Sequence, residues 1–93
     1  MNPYSFSKQP NDMLRELANK HRVLRREQRW SQAEMAERSG VSLGSLKRFE
    51  STGHISLISL LKLANTLGRL PDFEPVLDGN RTKDLNSLFS KSS

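Results

Sequence analysis

The 93-residue sequence contains no cysteine. That excludes a disulfide framework and a cysteine-ligated zinc finger, and it suits a reducing compartment. No uninterrupted apolar run approaches the length of a bilayer span. The N-terminal stretch MNPYSFSKQP lacks the apolar core of a signal peptide. A cytoplasmic protein with no membrane partner is therefore expected. There is no glycine-rich phosphate loop. The two histidines, His21 and His54, stand outside any metal-ligand spacing or triad context. Glu34, Glu37 and Glu50 read as ordinary helix caps or solvated faces. No enzyme, metal site or cofactor is expected.

What is present is positive charge. Fifteen Lys and Arg face ten Asp and Glu, for a net charge of +5 and a pI of about 10.1. A basic chain suits a polyanionic partner, because binding releases condensed counterions. The bias is uneven. Over residues 1–30, Lys8, Arg15, Lys20, Arg22, Arg25, Arg26 and Arg29 outnumber Asp12, Glu16 and Glu27. Over residues 70–93 acidic residues slightly outnumber basic ones. The length allows one domain with a modest core.

Ser31–Ser51, SQAEMAERSGVSLGSLKRFES, carries the most structural information. Ser31 and Glu34 form a capping box at the start of a helix over 32–38. Gly40 stops that helix, since glycine takes the left-handed conformation at low cost. Ser42 caps a second helix, from Leu43 to about Glu50. Two helices this close, with a glycine between them, make a helix-turn-helix. Met35, Ala36, Val41, Leu46 and Phe49 form one buried surface. The opposite face of the second helix holds Gly44, Ser45, Lys47, Arg48 and Ser51, with Leu43 at its leading edge. That polar, positive stripe sits on a helix of a size that enters a DNA major groove.

SQAEMAERSGVS, then SLKRFE, then LLKLANTLG resemble the Cro/CI (XRE-type) helix-turn-helix family over Ser31–Gly68. The resemblance implies an all-α, compact bundle of about five helices with a lambda-repressor-like helix-turn-helix. It also implies a homodimeric repressor on a palindromic double-stranded operator. Lys47 and Arg48 are then the leading candidates for base-edge contacts. Ser42 and Ser45 are candidates for phosphate contacts, and Gln32 joins the DNA-contacting set. Leu43 and Gly44 stand where the family often carries Gln, Arg or Ser. Leu43 can meet a thymine methyl, and Gly44 permits close approach, so DNA shape carries part of the specificity. Glu50 stands where the family often pairs a glutamate within the domain, here with Arg38.

The rest of the chain divides into an arm (1–10), the helix-turn-helix domain (11–77) and a tail (78–93). The arm either contacts DNA or a partner through Tyr4, Phe6 and Lys8, or simply frays. Asn11 or Asp12 is expected to cap a helix over about 12–28, with Met13, Leu14, Leu17, Ala18, His21, Leu24 and Gln28 along one stripe. Arg25, Arg26 and Arg29 complement that helix's dipole, and are further expected to grip phosphates. Trp30 forms a hydrophobic staple with Met35 or Ala36. His54, in the loop after the second helix, either touches phosphate or faces solvent. Ser56 caps a core-completing helix with Ile58, Leu60, Leu61, Ala64 and Leu67 inward and Gly68 as its stop.

Asp72 is expected to cap a short last helix. Its Leu70, Phe73, Val76 and Leu77 form the dimer contact by analogy with the family, or else pack on the chain's own core. In the tail, Leu85, Leu88 and Phe89 share one helical face. They read either as disorder or as a segment that folds onto a partner. The run from Leu60 to Leu77 together with this tail is similar to HipB-like antitoxins. That likeness implies an operon autorepressor that also holds a HipA-type kinase toxin. The alternatives are a stand-alone repressor and a protein-interaction module without DNA.

Overall fold

A computed structural model of the chain describes residues 8–79. The roles expected of Tyr4, Phe6, Leu85, Leu88 and Phe89 lie outside the described residues. Within them the order is α1 (Pro10–Glu27), α2 (Gln32–Ser39), α3 (Leu43–Thr52), α4 (Leu57–Thr66) and a 3-10 turn (Leu70–Phe73). The bundle is thus all-helical, with four α-helices rather than about five. The expected last helix is only a 3-10 turn. Pro71 and Pro75 withhold two N–H donors within five positions, so an i→i−4 ladder cannot build there. Asp72 does not cap a helix but pairs with Arg69, Nε to Oδ2 2.8 Å.

α1 begins two residues earlier than Asp12. Gln9 is its N-cap and Pro10 opens it, using the fixed φ of proline where no N–H is needed. Asp12 acts from inside the first turn, accepting from the Gln9 N–H at 3.1 Å. The other end closes with an unusual residue. Arg29 takes φ +64°. Its N–H donates to the Arg26 carbonyl at 2.9 Å, and the Trp30 N–H donates to the Arg25 carbonyl at 3.3 Å. This is a Schellman closure with arginine in the left-handed position that glycine usually fills.

Serine starts each of the next three helices. The hydroxyls of Ser31, Ser42 and Ser56 accept from the N–H groups of Glu34, Ser45 and Ser59 at 3.0, 3.1 and 3.2 Å. The Glu34 carboxylate does not reach back to Ser31. It pairs with Arg38 at 3.0 Å, one turn along α2. Arg38 in turn lies over the Trp30 ring, 4.4 Å from its centroid. Trp30 is half-buried against the core, as a staple requires.

The core is small. Met35, Leu46, Phe49 and Leu63 are fully buried, with Ala18, Ala36 and Val41 around them. α1 packs on α3, α3 on α2, and α2 on α4. In α4 the inward face is Leu60, Leu63, Ala64 and Leu67, an i, i+3, i+4, i+7 set. Leu63 therefore takes the central place, and Ile58, expected inside, is 61% exposed. Met13 and Gln28, also expected on a buried stripe, are exposed. The inward line of α1 is Ala18, His21 and Arg25.

Arg25 and His21 meet the one buried carboxylate of α3. Glu50 is 4% exposed. Its Oε2 accepts from Arg25 Nε and pairs with His21 Nδ1, each at 2.8 Å. Its Oε1 accepts from Arg25 Nη2 at 2.9 Å and Gln32 Nε2 at 3.0 Å. Arg25 Nη1 donates to the Trp30 carbonyl at 2.8 Å, and Arg22 donates to the Glu50 backbone carbonyl. Glu50 thus pairs with Arg25, not with Arg38. Four donors on two oxygens leave the carboxylate saturated, the condition for tolerating a charge out of water.

The protonation states follow from these contacts. Burial alone pushes the Glu50 carboxyl up. The hydrogen bonds from Arg25 and Gln32, with the charges of Arg25 and His21, outweigh it and hold the group below its ordinary 4.5. For His21, burial pushes the imidazole below its ordinary 6.5. The Glu50 carboxylate opposes that, and Arg25 and Arg22 reinforce it. The ring is therefore neutral at pH 7, with Nδ1–H donating to Glu50.

Two predictions come from this packing. Both groups bind protons less well folded than unfolded, so acid destabilises the fold in two steps. The melting temperature should be flat above pH 6.5 and fall first as His21 protonates. A second fall should begin below pH 4.5, through Glu50. His21→Gln should remove the first step and leave the second. Glu50→Ala, which strands Arg25, should cost about 3–5 kcal/mol by denaturant unfolding.

The second prediction concerns two glycines. Gly40 and Gly53 end α2 and α3 with φ +79° and +88°. A Cβ at Gly40 meets nothing within 4 Å, whereas one at Gly53 would lie 2.8 Å from the Leu14 backbone carbon and Cβ. Gly40→Ala should cost about 1–2 kcal/mol for the left-handed backbone alone. Gly53→Ala should cost clearly more, because α1 must also move away. Equal losses in urea titrations would refute the close approach.

Candidate nucleic-acid interface

α3 has two faces with different tasks. Leu46, Phe49 and Glu50 point inward. Leu43, Gly44, Ser45, Lys47, Arg48 and Ser51 are exposed together on the other side. The Glu50 cluster ties α3 to α1 and to the start of α2, and the Gly53–Leu14 contact fixes its C-terminal end against α1. The outward face is thus held at a set angle to the termini of α1 and α2.

The cations of this chain fall into two groups. Arg22, Arg25, Arg38 and Arg69 are committed to Glu50, Trp30, Glu34 and Asp72. Arg15, Lys20, Arg26, Arg29, Lys47, Arg48 and Lys62 are exposed, and among the described residues none of them forms an ion pair; of these, Lys47 and Arg48 stand on α3 and Arg26 and Arg29 at the end of α1. Arg25 therefore does not present a phosphate-gripping guanidinium. It is 7% exposed and turned into the core. Gln32 is half-buried with its amide on Glu50, so its first task is to hold that carboxylate. The sequence did contain a signal for this. Arg25 lies on the same helical stripe as Ala18 and His21, where a charge must be paired.

The hydroxyls are sorted too. Ser42 Oγ accepts the Ser45 N–H and donates to Ser45 Oγ at 2.9 Å, which makes it a cap before anything else. Ser45 keeps its own hydroxyl hydrogen to donate. Thr52 and Ser51 donate back to the Arg48 carbonyl at 2.7 and 3.2 Å. The His54 N–H donates to Thr52 Oγ1 at 3.1 Å, and the His54 side chain stands exposed beside the end of α3. Lys8 pairs with Glu16 at 3.2 Å. Leu43 is 37% exposed at the leading edge of α3.

Gly44 is the least explained residue by internal criteria. Its φ is not positive, and a Cβ there would meet nothing within 4 Å. Glycine in a helix costs about 1 kcal/mol relative to alanine. Nothing inside the chain demands it.

Among the described residues no His, Asp and Glu side chains converge as a metal site. No described helix is long and apolar enough to cross a membrane. What the arrangement can do is present a rigid helix with unpaired cations and a smooth glycine edge to a polyanion. No curated protein and no solved structure gives a significant match. The family model HTH_3, described as Helix-turn-helix, matches residues 22–73, more than half of the chain. That span contains the capped helix pair, Glu50 with its partners Arg22, Arg25 and Gln32, and α4. The chain belongs to the Cro/CI (XRE-type) helix-turn-helix family of DNA-binding transcription regulators.

Proposed function

We propose that the protein is a sequence-specific repressor that acts as a homodimer on a palindromic operator upstream of its own gene. The observation that carries this reading is the outward face of α3, where Lys47 and Arg48 stand unpaired on a helix locked from behind by Glu50. In this reading Lys47 and Arg48 meet guanine O6 and N7, each good contact worth about 1–3 kcal/mol of discrimination. Arg26 and Arg29 meet flanking phosphates, with Ser45 and His54 beside them. Leu43 covers a thymine methyl.

The dimer contact is assigned to Leu70, Phe73, Val76 and Leu77. Leu77 is 98% exposed, Val76 57% and Leu70 39%, apolar surface that a second copy would remove from water. A twofold dimer places two α3 helices on half-sites one helical turn apart.

A second reading adds a HipA-type kinase toxin, with the protein as its HipB-like antitoxin. The exposed Leu57 (68%) and Ile58 (61%) at the start of α4 favour a protein partner of some kind. Co-purification with a kinase encoded beside the gene tests it. A chain that copurifies with no such protein counts against it.

Fluorescence anisotropy over a salt series, on the upstream duplex and a scrambled one, tests the repressor. Lys47→Ala/Arg48→Ala should lose roughly 30- to 10,000-fold affinity on the upstream duplex and far less on the scrambled one. Equal weak binding to both duplexes, unchanged by the substitutions, would contradict it. Gly44→Ala separates the demands of fold and of DNA. It should raise stability by about 0.5–1 kcal/mol and yet weaken operator binding, because the added methyl stands off the groove floor. Unchanged affinity would remove Gly44 from the interface.

A further inference from the structure

α1 and α4 diverge. They meet at most marginally, and between them lies an open groove of about 1170 Å³. Its floor is mainly apolar, with Leu17 and Leu24 from α1, Leu60 and Leu67 from α4 and its end, and Phe73 and Val76 from the segment that follows, and its rim is charged, with Asp12, Arg15, Glu16, Lys20, Arg69 and Asp72. Met13, Val23 and Leu57 also line it. With Val76 they account for half of the large apolar residues that stand exposed. A groove of this size on a small domain calls for an occupant.

Sequence continuity supplies an occupant. The chain passes Val76, on the groove wall, and continues beyond Gly79 into residues 80–93. That segment has one apolar cluster, Leu85, Leu88 and Phe89, spaced i, i+3, i+4, which is one face of a helix. The nine residues from Val76 to Leu85 reach up to roughly 30 Å when extended, enough to return anywhere along the groove. A helix over 83–91 would be about 14 Å long, against about 16 Å of α1 between Met13 and Leu24 at 1.5 Å per residue.

We infer that residues 83–91 of the same chain dock in the groove between α1 and α4 as a last helix, with Leu85, Leu88 and Phe89 against Leu17, Leu24, Leu60 and Phe73. The docked segment completes a core whose described part buries only a handful of large side chains. The tail then covers Phe73 and Val76 in place of a second copy and narrows the dimer contact of the proposed function to Leu70 and Leu77, which do not line the groove. It does not depend on DNA binding.

The absence of cysteine makes the test clean. A nitroxide placed on Ser90→Cys in the full-length, 15N-labelled chain reports which amides lie near the tail. The expected result is loss of the amide signals of Leu17, Leu24 and Leu60, restored when Leu88→Asp/Phe89→Asp is added. The same double substitution should lower the melting temperature. Signals that persist in the nitroxide chain would overturn the proposal. So would losses that survive the double substitution. A mixture of unlabelled nitroxide chains with 15N chains lacking the nitroxide must show no loss. Loss there would assign the groove to the tail of a second copy and overturn the intramolecular docking.

Discussion

A carboxylate buried at the back of α3 is an expensive choice, and Glu50 shows how the chain sustains it. Removing a charge from water costs several kcal/mol unless every lone pair is met. Here Arg25 supplies two donors from α1, His21 a third, and Gln32 a fourth from α2. Those partners lie on elements that must be correctly placed at the same time. The cluster therefore adds little net stability over apolar packing and instead rejects wrong angles between α1, α2 and α3. A helix that reads base edges needs that, because such contacts depend on where its side chains emerge.

The same cluster governs which cations remain for a partner. The guanidiniums of Arg22 and Arg25 are drawn toward Glu50, while Arg26 and Arg29, on the other side of the α1 terminus, remain unpaired. Arg29 holds the left-handed position where glycine is easier. The chain accepts about 1–2 kcal/mol of backbone strain there and keeps a positive charge beside the start of α2. Gly44 is the reverse case, a glycine kept in a helix where alanine would be more stable. Both departures from local preference fall at exposed residues, where packing does not dictate the residue.

Most of the fold was legible because most of its signals are local. Serine caps at 31, 42 and 56, the turn glycine at 40 and the stop at 68 act over three or four residues, and all hold in the structure. The inward set Met35, Ala36, Val41, Leu46 and Phe49 also followed from helical spacing. What was not legible acts through space. Arg25 and Glu50 are 25 positions apart; helical spacing can place Arg25 on the inward stripe with Ala18 and His21, but it cannot name the carboxylate that meets it there. The close approach of Gly53 to Leu14 is likewise invisible in a stretch that reads simply as a helix stop. In α4 apolar residues almost surround the helix, so spacing alone could not choose Leu63 over Ile58 as the inward position. The family resemblance carried the DNA-contacting set, but it could not separate cations that face a partner from those that hold the fold.

In the proposed function the outward face of α3 reads base sequence, with Arg48 as one of its readers. Selection from a pool of randomised duplexes tests this most directly, run in parallel with wild-type protein and with Arg48→Gln. The wild type should select a palindromic site. The variant should select a site changed at the same base pair of each half and kept elsewhere, because only that reader has been exchanged. Enrichment of no sequence by the wild type, or of the same sequence by both proteins, would contradict it.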